Sequence, residues 1–274
     1  MAYLPSDIRG PKLFPFTEDF ANAQFIRLLS SEDNDSSGET SHARVFQVII
    51  GKKRYAVKIF NFVPLEDIRP FVPTKEHLIT DTVVRQQLDP FFAECRAFGL
   101  LTEKGKDDEL AVHCHGYVLL SEEIEHLIEE KFGIRDWNRS AEDEGKPLRA
   151  IVKNYIRFLS FDRPKKLAKM RVNLKQLNKM GIYNMDIRKE NYLGGHLFDF
   201  SLAITLPHLS FSRKFRSERQ IKDDMKFDLA CFDSLVKHVN KERTKVDRMN
   251  RKRWKSLRSR STSRTRESNG GVVH

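Results

Sequence analysis

Cysteine is scarce: Cys95, Cys114 and Cys231 are the only three in 274 residues. They lie far apart, which excludes a multi-bridge disulfide framework and fits a reducing interior. Long apolar runs are lacking as well. No stretch approaches the ~18 residues that a membrane span needs, and the opening MAYLPSDIRG has no basic-then-apolar signal. Secreted, membrane-spanning and disulfide-stapled proteins are therefore poor descriptions. There is no internal repeat, no helix-turn-helix or finger spacing, and no serine or cysteine nucleophile signature. His113-Cys114-His115 hints at a metal, but alternate strand residues point to opposite faces, which keeps Cys114 from joining its neighbours. What is present is 39% hydrophobic and 32% charged, ample for one large domain or two lobes sharing a cleft.

Positive charge is concentrated rather than spread. Residues 241–274 hold 12 basic side chains against three acidic ones, so this arm carries +9 of the net +11. The body is close to neutral. The end of the arm, RSRSTSRTRESNGG, has almost no apolar residues and is expected to be disordered. Its RKRWK (251–255) reads either as an import cluster or phosphate-contacting patch, or simply as a solvated charged tail.

The strongest strand signal is VFQVII (45–50), a GKK turn and RYAVKIF (54–60), a hairpin rich in β-branched and aromatic residues. QFIRLL (24–29), VHCHGYVLL (112–120) and RAIVKNYI (149–156) predict further strands. A helix is predicted after Asp89, which can cap it, with Pro90 in its first turn. A second runs through Leu167, Met170, Leu174 and Leu177, capped by Asp162 and stopped at Gly181. YLGGHLFDFS predicts a tight hairpin at Gly194-Gly195, and a last helix is expected over about 222–240. Residues 61–88 read as a long connection, and the acidic stretch between the later strands as a helical surface insert. Strands lead and helices follow, giving an α+β chain with a β-rich first half.

Five polar residues recur in a suggestive order and setting. Lys58 lies in an apolar strand, and Glu94 on the helix that follows. Asp186 and Asn191 share a loop, and Asp199 stands at a strand end in LFDFS. Phosphoryl transfer from ATP needs charge placement more than covalent help. A lysine can neutralise phosphates while a glutamate holds it, and Asp and Asn oxygens are hard ligands for Mg²⁺. A further aspartate can accept a hydroxyl proton. Each residue alone has a bland reading, as a solvated lysine, an exposed helix acid or a turn former.

Here the chain resembles the protein kinases. NMDIRKEN (184–191) looks like the catalytic loop, VKIF like the nucleotide-lysine strand, and DFS (199–201) like the metal-binding Asp-Phe-Gly. GETSHARVFQV (38–48) can be laid on the glycine-rich loop, with Gly38 as first glycine and Val45 as the valine. The resemblance implies a two-lobed kinase-like fold, with an N-lobe over 24–156 after an irregular 1–23, a reduced helical C-lobe over 157–240, and the basic tail 241–274. It implies ATP held by Lys58, Glu94, Gly38 and Val45, Mg²⁺ on Asn191 and Asp199, and Asp186 as base. The sequence departs from that pattern at Thr40, Ala43 and Ser201, each in place of glycine, and has no Ala-Pro-Glu. FFAECRAFGLL, CHGYVLL, RAIVKNYI and GIYNMDIRKENYLGGHLFDFSLAITLPH resemble, as a series, a fungal kinetochore family, the Sim4 complex subunit FTA2. That resemblance implies a nuclear, centromere-associated protein with other kinetochore subunits as partners. The tail adds a non-specific nucleic-acid contact to these expectations. Two functions follow: an interaction scaffold on a pseudokinase fold, or an active atypical protein kinase.

Overall fold

In the computed structural model, which describes residues 10–30, 42–73, 79–157 and 164–267, the predicted hairpin forms the centre of a five-stranded antiparallel sheet. Its strands are β1 (Gln24–Leu28), β2 (Ala43–Ile50), β3 (Lys53–Phe60), β4 (Cys114–Leu120) and β5 (Leu148–Asn154), in the order β1-β2-β3-β5-β4. Gly51 turns the β2–β3 hairpin at φ 58°, a conformation open to glycine without steric cost. Alternation then sorts the side chains. Phe46, Val48, Val57, Ile59, Ala150 and Val152 share one apolar cluster with Ile128 and Trp137. The strand residues between them, Lys58 and Phe60 on β3 and Ile151 and Lys153 on β5, look to the opposite face.

Between the strands lie α1 (Leu65–Ile68), α2 (Asp81–Leu88), α3 (Pro90–Glu103), α4 (Asp107–Leu110) and α5 (Glu122–Phe132). Helix α3 begins where the sequence places it: the Asp89 side chain accepts the Phe91 N–H at 2.9 Å, and Pro90 opens the first turn. Arg149 of β5 donates to the other Asp89 oxygen at 2.8 Å, tying this helix start to the sheet. From Pro90 to Leu101 only Phe92 escapes full burial, so α3 is a core helix rather than a surface one. The connection over 61–88 is more structured than expected, because Ile68 of α1 and Val84 of α2 share a small apolar cluster with Ile79, which lies between the helices, and Leu209.

Helix α6 (Pro164–Met180) buries Leu167, Met170, Leu174 and Leu177, the face predicted for it, and Gly181 follows at φ 89°. Its expected cap, Asp162, lies outside the described residues, as does Gly38. Short pairs follow: β6 (Ile182–Tyr183) with β9 (Ile204–Thr205), and β7 (Tyr192–Leu193) with β8 (His196–Leu197) around Gly194-Gly195. The last helix, α7 (Glu218–Glu267), corrects one expectation. The backbone is helical well past residue 240, through most of the basic arm that composition marks as disordered. No Gly or Pro interrupts 218–267, and Lys, Arg and Glu are good helix formers. The chain divides into two compact units, Met1–Cys231 and Phe232–His274.

The segment before β1 is fitted to the fold at two glycines. A Cβ on Gly99 of α3 would lie 2.5 Å from the carbonyl carbon of Lys12, and one on Gly116 of β4 would lie 2.7 Å from Phe14 O. Through these openings the segment 10–20 reaches β4, where Phe16 N donates to Tyr117 O at 2.8 Å and Tyr117 N to Phe14 O at 3.1 Å.

Candidate functional site

Lys58 is brought to the inner face of the sheet by β3, with Val45 as its cross-strand partner on β2 and Ile151 on β5. Both the lysine and Glu94, which α3 presents to it, are buried. Lys58 Nζ donates to Glu94 Oε2 at 2.8 Å, to Asp199 Oδ1 at 2.8 Å and to Ser201 Oγ at 2.6 Å. A second lysine enters that sequence reasoning passed over. Lys153 of β5 stands opposite the small Ala56, is equally buried, and is hydrogen-bonded to the other Glu94 oxygen and to Phe198 O. Two ammonium groups thus meet two carboxylates, and the cluster is neutral as a whole.

Protonation follows from that arrangement. Burial alone would drive the Lys58 ammonium to deprotonate, but Asp199 and Glu94 outweigh it and raise its pKa. Burial likewise opposes ionisation of Asp199, yet Lys58 and Lys153 hold its carboxyl far below the usual range. Lys58 and Asp199 are therefore both charged at neutral pH.

Asp186 and Asn191 join the same network from the loop after β6. Asn191 Nδ2 donates to both Asp186 O and Asp186 Oδ2 at 2.8 Å, and Arg188 Nε lies 3.1 Å from that Oδ2. Asn184 links the loop to the cluster: its Nδ2 donates to Asp199 O at 2.6 Å, and its Oδ1 accepts from Asp186 N at 3.2 Å. The loop is fixed from below by Asp228 of α7, which accepts the Asn184 and Met185 N–H groups. Burial raises the pKa of Asp228.

The structure therefore joins Lys58, Glu94, Asp186, Asn191 and Asp199 in one hydrogen-bonded set and places Val45 beside Lys58. The residues missed were Lys153, Arg188 and Asp228. Lys153 carried the same signal as Lys58, a lysine inside an apolar strand. Asp228, mid-helix and far along the chain from its partners, carried none. At His113-Cys114-His115, Cys114 is buried and burial pushes its thiol up to about 12. His113 instead sits by Asp107 and Asp108 of α4, and His115 Nε2 pairs with Asn154 Oδ1 at 2.7 Å.

The donor set suits a phosphate with a hard cation: ammonium groups for the anion, carboxylate and carboxamide oxygens for the metal. Fold and site together define an α+β protein whose antiparallel sheet and core helix enclose a neutral cluster of lysines and carboxylates. Residues 3–204 match the model of the kinetochore Sim4 complex subunit FTA2, and the chain belongs to that family. Membership implies a subunit of a kinetochore complex. No curated protein matches the chain.

Proposed function

We propose that this chain is a kinetochore subunit built on a protein-kinase-like fold, acting as an interaction scaffold whose Lys58 pocket retains affinity for ATP. The reading places it in the nucleus, at the centromere, with other kinetochore subunits as partners. The observation that carries the nucleotide part is the contact of Lys58 with both Glu94 and Asp199. A strand lysine fixed by a helix glutamate beside a depressed aspartate is a combination suited to polyphosphate and Mg²⁺. In this reading Lys58 meets the phosphates, Asp199 and Asn191 hold Mg²⁺, and Val45 lies against the nucleotide. The cofactor supplies the transferable phosphoryl group; the chain's residues neutralise and orient it.

A Mg²⁺-ATP titration followed by thermal unfolding tests the reading. Wild type should be stabilised at millimolar ATP, and Lys58→Ala and Asp199→Ala should lose the shift. An unshifted wild type would remove ATP from the function and leave the scaffold alone.

One observation favours a second reading, an active atypical protein kinase. Asp186 is oriented by Asn191 and Arg188, as a base accepting a substrate hydroxyl proton would need to be. Phosphate incorporation into the protein or its partners, abolished by Asp186→Asn, is the expected outcome for that reading. Thr40 and Ala43 weigh against it, because each stands where a glycine would let backbone approach phosphate closely, and Ser201 removes a glycine's freedom at the metal-binding turn. The basic arm is proposed to contact nucleic acid through phosphates alone.

A further inference from the structure

We infer that the Ser201 hydroxyl is a latch on Lys58, an internal contact that holds the phosphate-binding ammonium inside the protein and lowers its affinity for nucleotide. An ammonium has three N–H donors and no acceptor. Lys58 has three acceptors in reach, Glu94 Oε2, Asp199 Oδ1 and Ser201 Oγ, the last the shortest at 2.6 Å. Its donor capacity is therefore filled by the protein itself.

Ser201 is built into this position. Its Oγ also lies 2.7 Å from Asp199 Oδ1 and 3.2 Å from Glu94 Oε2, so the hydroxyl proton has a carboxylate to go to while the oxygen accepts from Lys58. Its backbone N–H donates to Asp199 Oδ1 at 2.9 Å. The preceding Phe200 is fully buried, edge-on to Phe98 of α3 with ring centroids 5.1 Å apart. That packing anchors the backbone of the turn beneath the hydroxyl. A phosphate reaching Lys58 must take over one N–H, and the neutral serine is the acceptor most easily lost, since the two carboxylates make charge-assisted bonds. A residue without a hydroxyl at 201 leaves that N–H unclaimed. The latch thus sets the affinity of the pocket in the nucleotide reading above, on which its functional meaning rests, while the contact itself can be tested without nucleotide.

The experiment uses the full chain as wild type, Ser201→Ala and Ser201→Gly. The first readout is the rate at which an amine-acylating reagent modifies Lys58, measured by mass spectrometry beside the exposed Lys52 and the buried Lys153. Lys58 should react at least about tenfold faster in both variants, in line with the loss of one hydrogen bond to a charged group, with Lys52 and Lys153 unchanged. An unchanged Lys58 rate, or an equal acceleration at Lys153 from general loosening, overturns the latch. The second readout is ATP affinity by calorimetry, expected to tighten about tenfold in both variants. Affinity unchanged or weakened in the variants overturns the latch as a control on binding. Selective Lys58 acceleration with no ATP bound by any of the three proteins upholds the latch and defeats the nucleotide reading.

Discussion

The Asp228 carboxylate accepts the Met185 N–H at 2.8 Å, and Met185 sits at φ 64°, a left-handed conformation that a long side chain adopts at a cost. The same carboxylate takes the Asn184 N–H at 2.8 Å, so one buried acid in α7 holds the loop that carries Asp186. Asp228→Ala leaves two backbone donors without their acceptor and should cost about 2–4 kcal/mol in chemical denaturation. Met185→Gly should instead be neutral or stabilising by up to about 1 kcal/mol, because glycine accepts the left-handed backbone freely. A Met185→Gly variant much less stable than wild type would show that the side chain, not the backbone, matters there.

Glu94 is the hinge of the charge cluster, since Lys58 and Lys153 both depend on it. Glu94→Ala leaves the buried Lys153 ammonium without a carboxylate and Lys58 with Asp199 alone, and should destabilise the fold by about 3–5 kcal/mol. Lys153→Met removes one charge and leaves Glu94 with Lys58, and should cost less. Urea unfolding midpoints of the two variants decide the order.

His208 gives the protein an acid limit. Burial lowers its pKa to about 4, with Arg96 adding to the effect, while Nε2 pairs with Gln87 O at 2.8 Å and Nδ1 accepts the Ser210 N–H at 3.1 Å. The unfolded chain takes up this proton near 6.5 and the folded one only near 4, so stability falls as pH drops through that window. The full loss is about 3 kcal/mol from this group at the lower end. Unfolding free energies measured from pH 7 to pH 4 should show the slope in wild type and a flatter one in His208→Gln.

Gly99→Ala and Gly116→Ala each put a methyl group into backbone of the segment 12–16. Each should cost about 1–3 kcal/mol, the usual range for overpacking a filled site, with Gly116→Ala the worse because φ is also 131° there. Thermal melts of these variants beside Gly51→Ala, where the added carbon meets nothing, separate clash from backbone effect.

Nucleic-acid affinity of the basic arm should fall steeply as salt rises and vanish when 241–274 is removed, since phosphate contacts release counterions. A salt-insensitive affinity, or one kept by the truncated chain, would refute the electrostatic reading.

Local chemistry made much of the fold readable. Asp89-Pro90 marks the start of α3, Gly51 the hairpin, and four apolar residues the inner face of α6. The order of Lys58, Glu94, Asp186, Asn191 and Asp199 was enough to expect them together, because each sits in a segment whose type its neighbours reveal. Lys153 was missed because its meaning depends on register: only when β5 pairs with β3 does it fall diagonal to Lys58 on one face. Ser201 read as a lost glycine, and its contribution as an acceptor depends on Lys58, which no local window around residue 201 contains. The basic arm misled because composition speaks of burial, while an uninterrupted run of helix formers speaks of backbone.

The strand-like contact of Phe14 and Phe16 with Tyr117 seals one border of the sheet. A further strand cannot pair with β4 at that point. Trimming the chain to residue 17 would uncover peptide groups already primed for pairing, and so convert a guarded margin into an adhesive one.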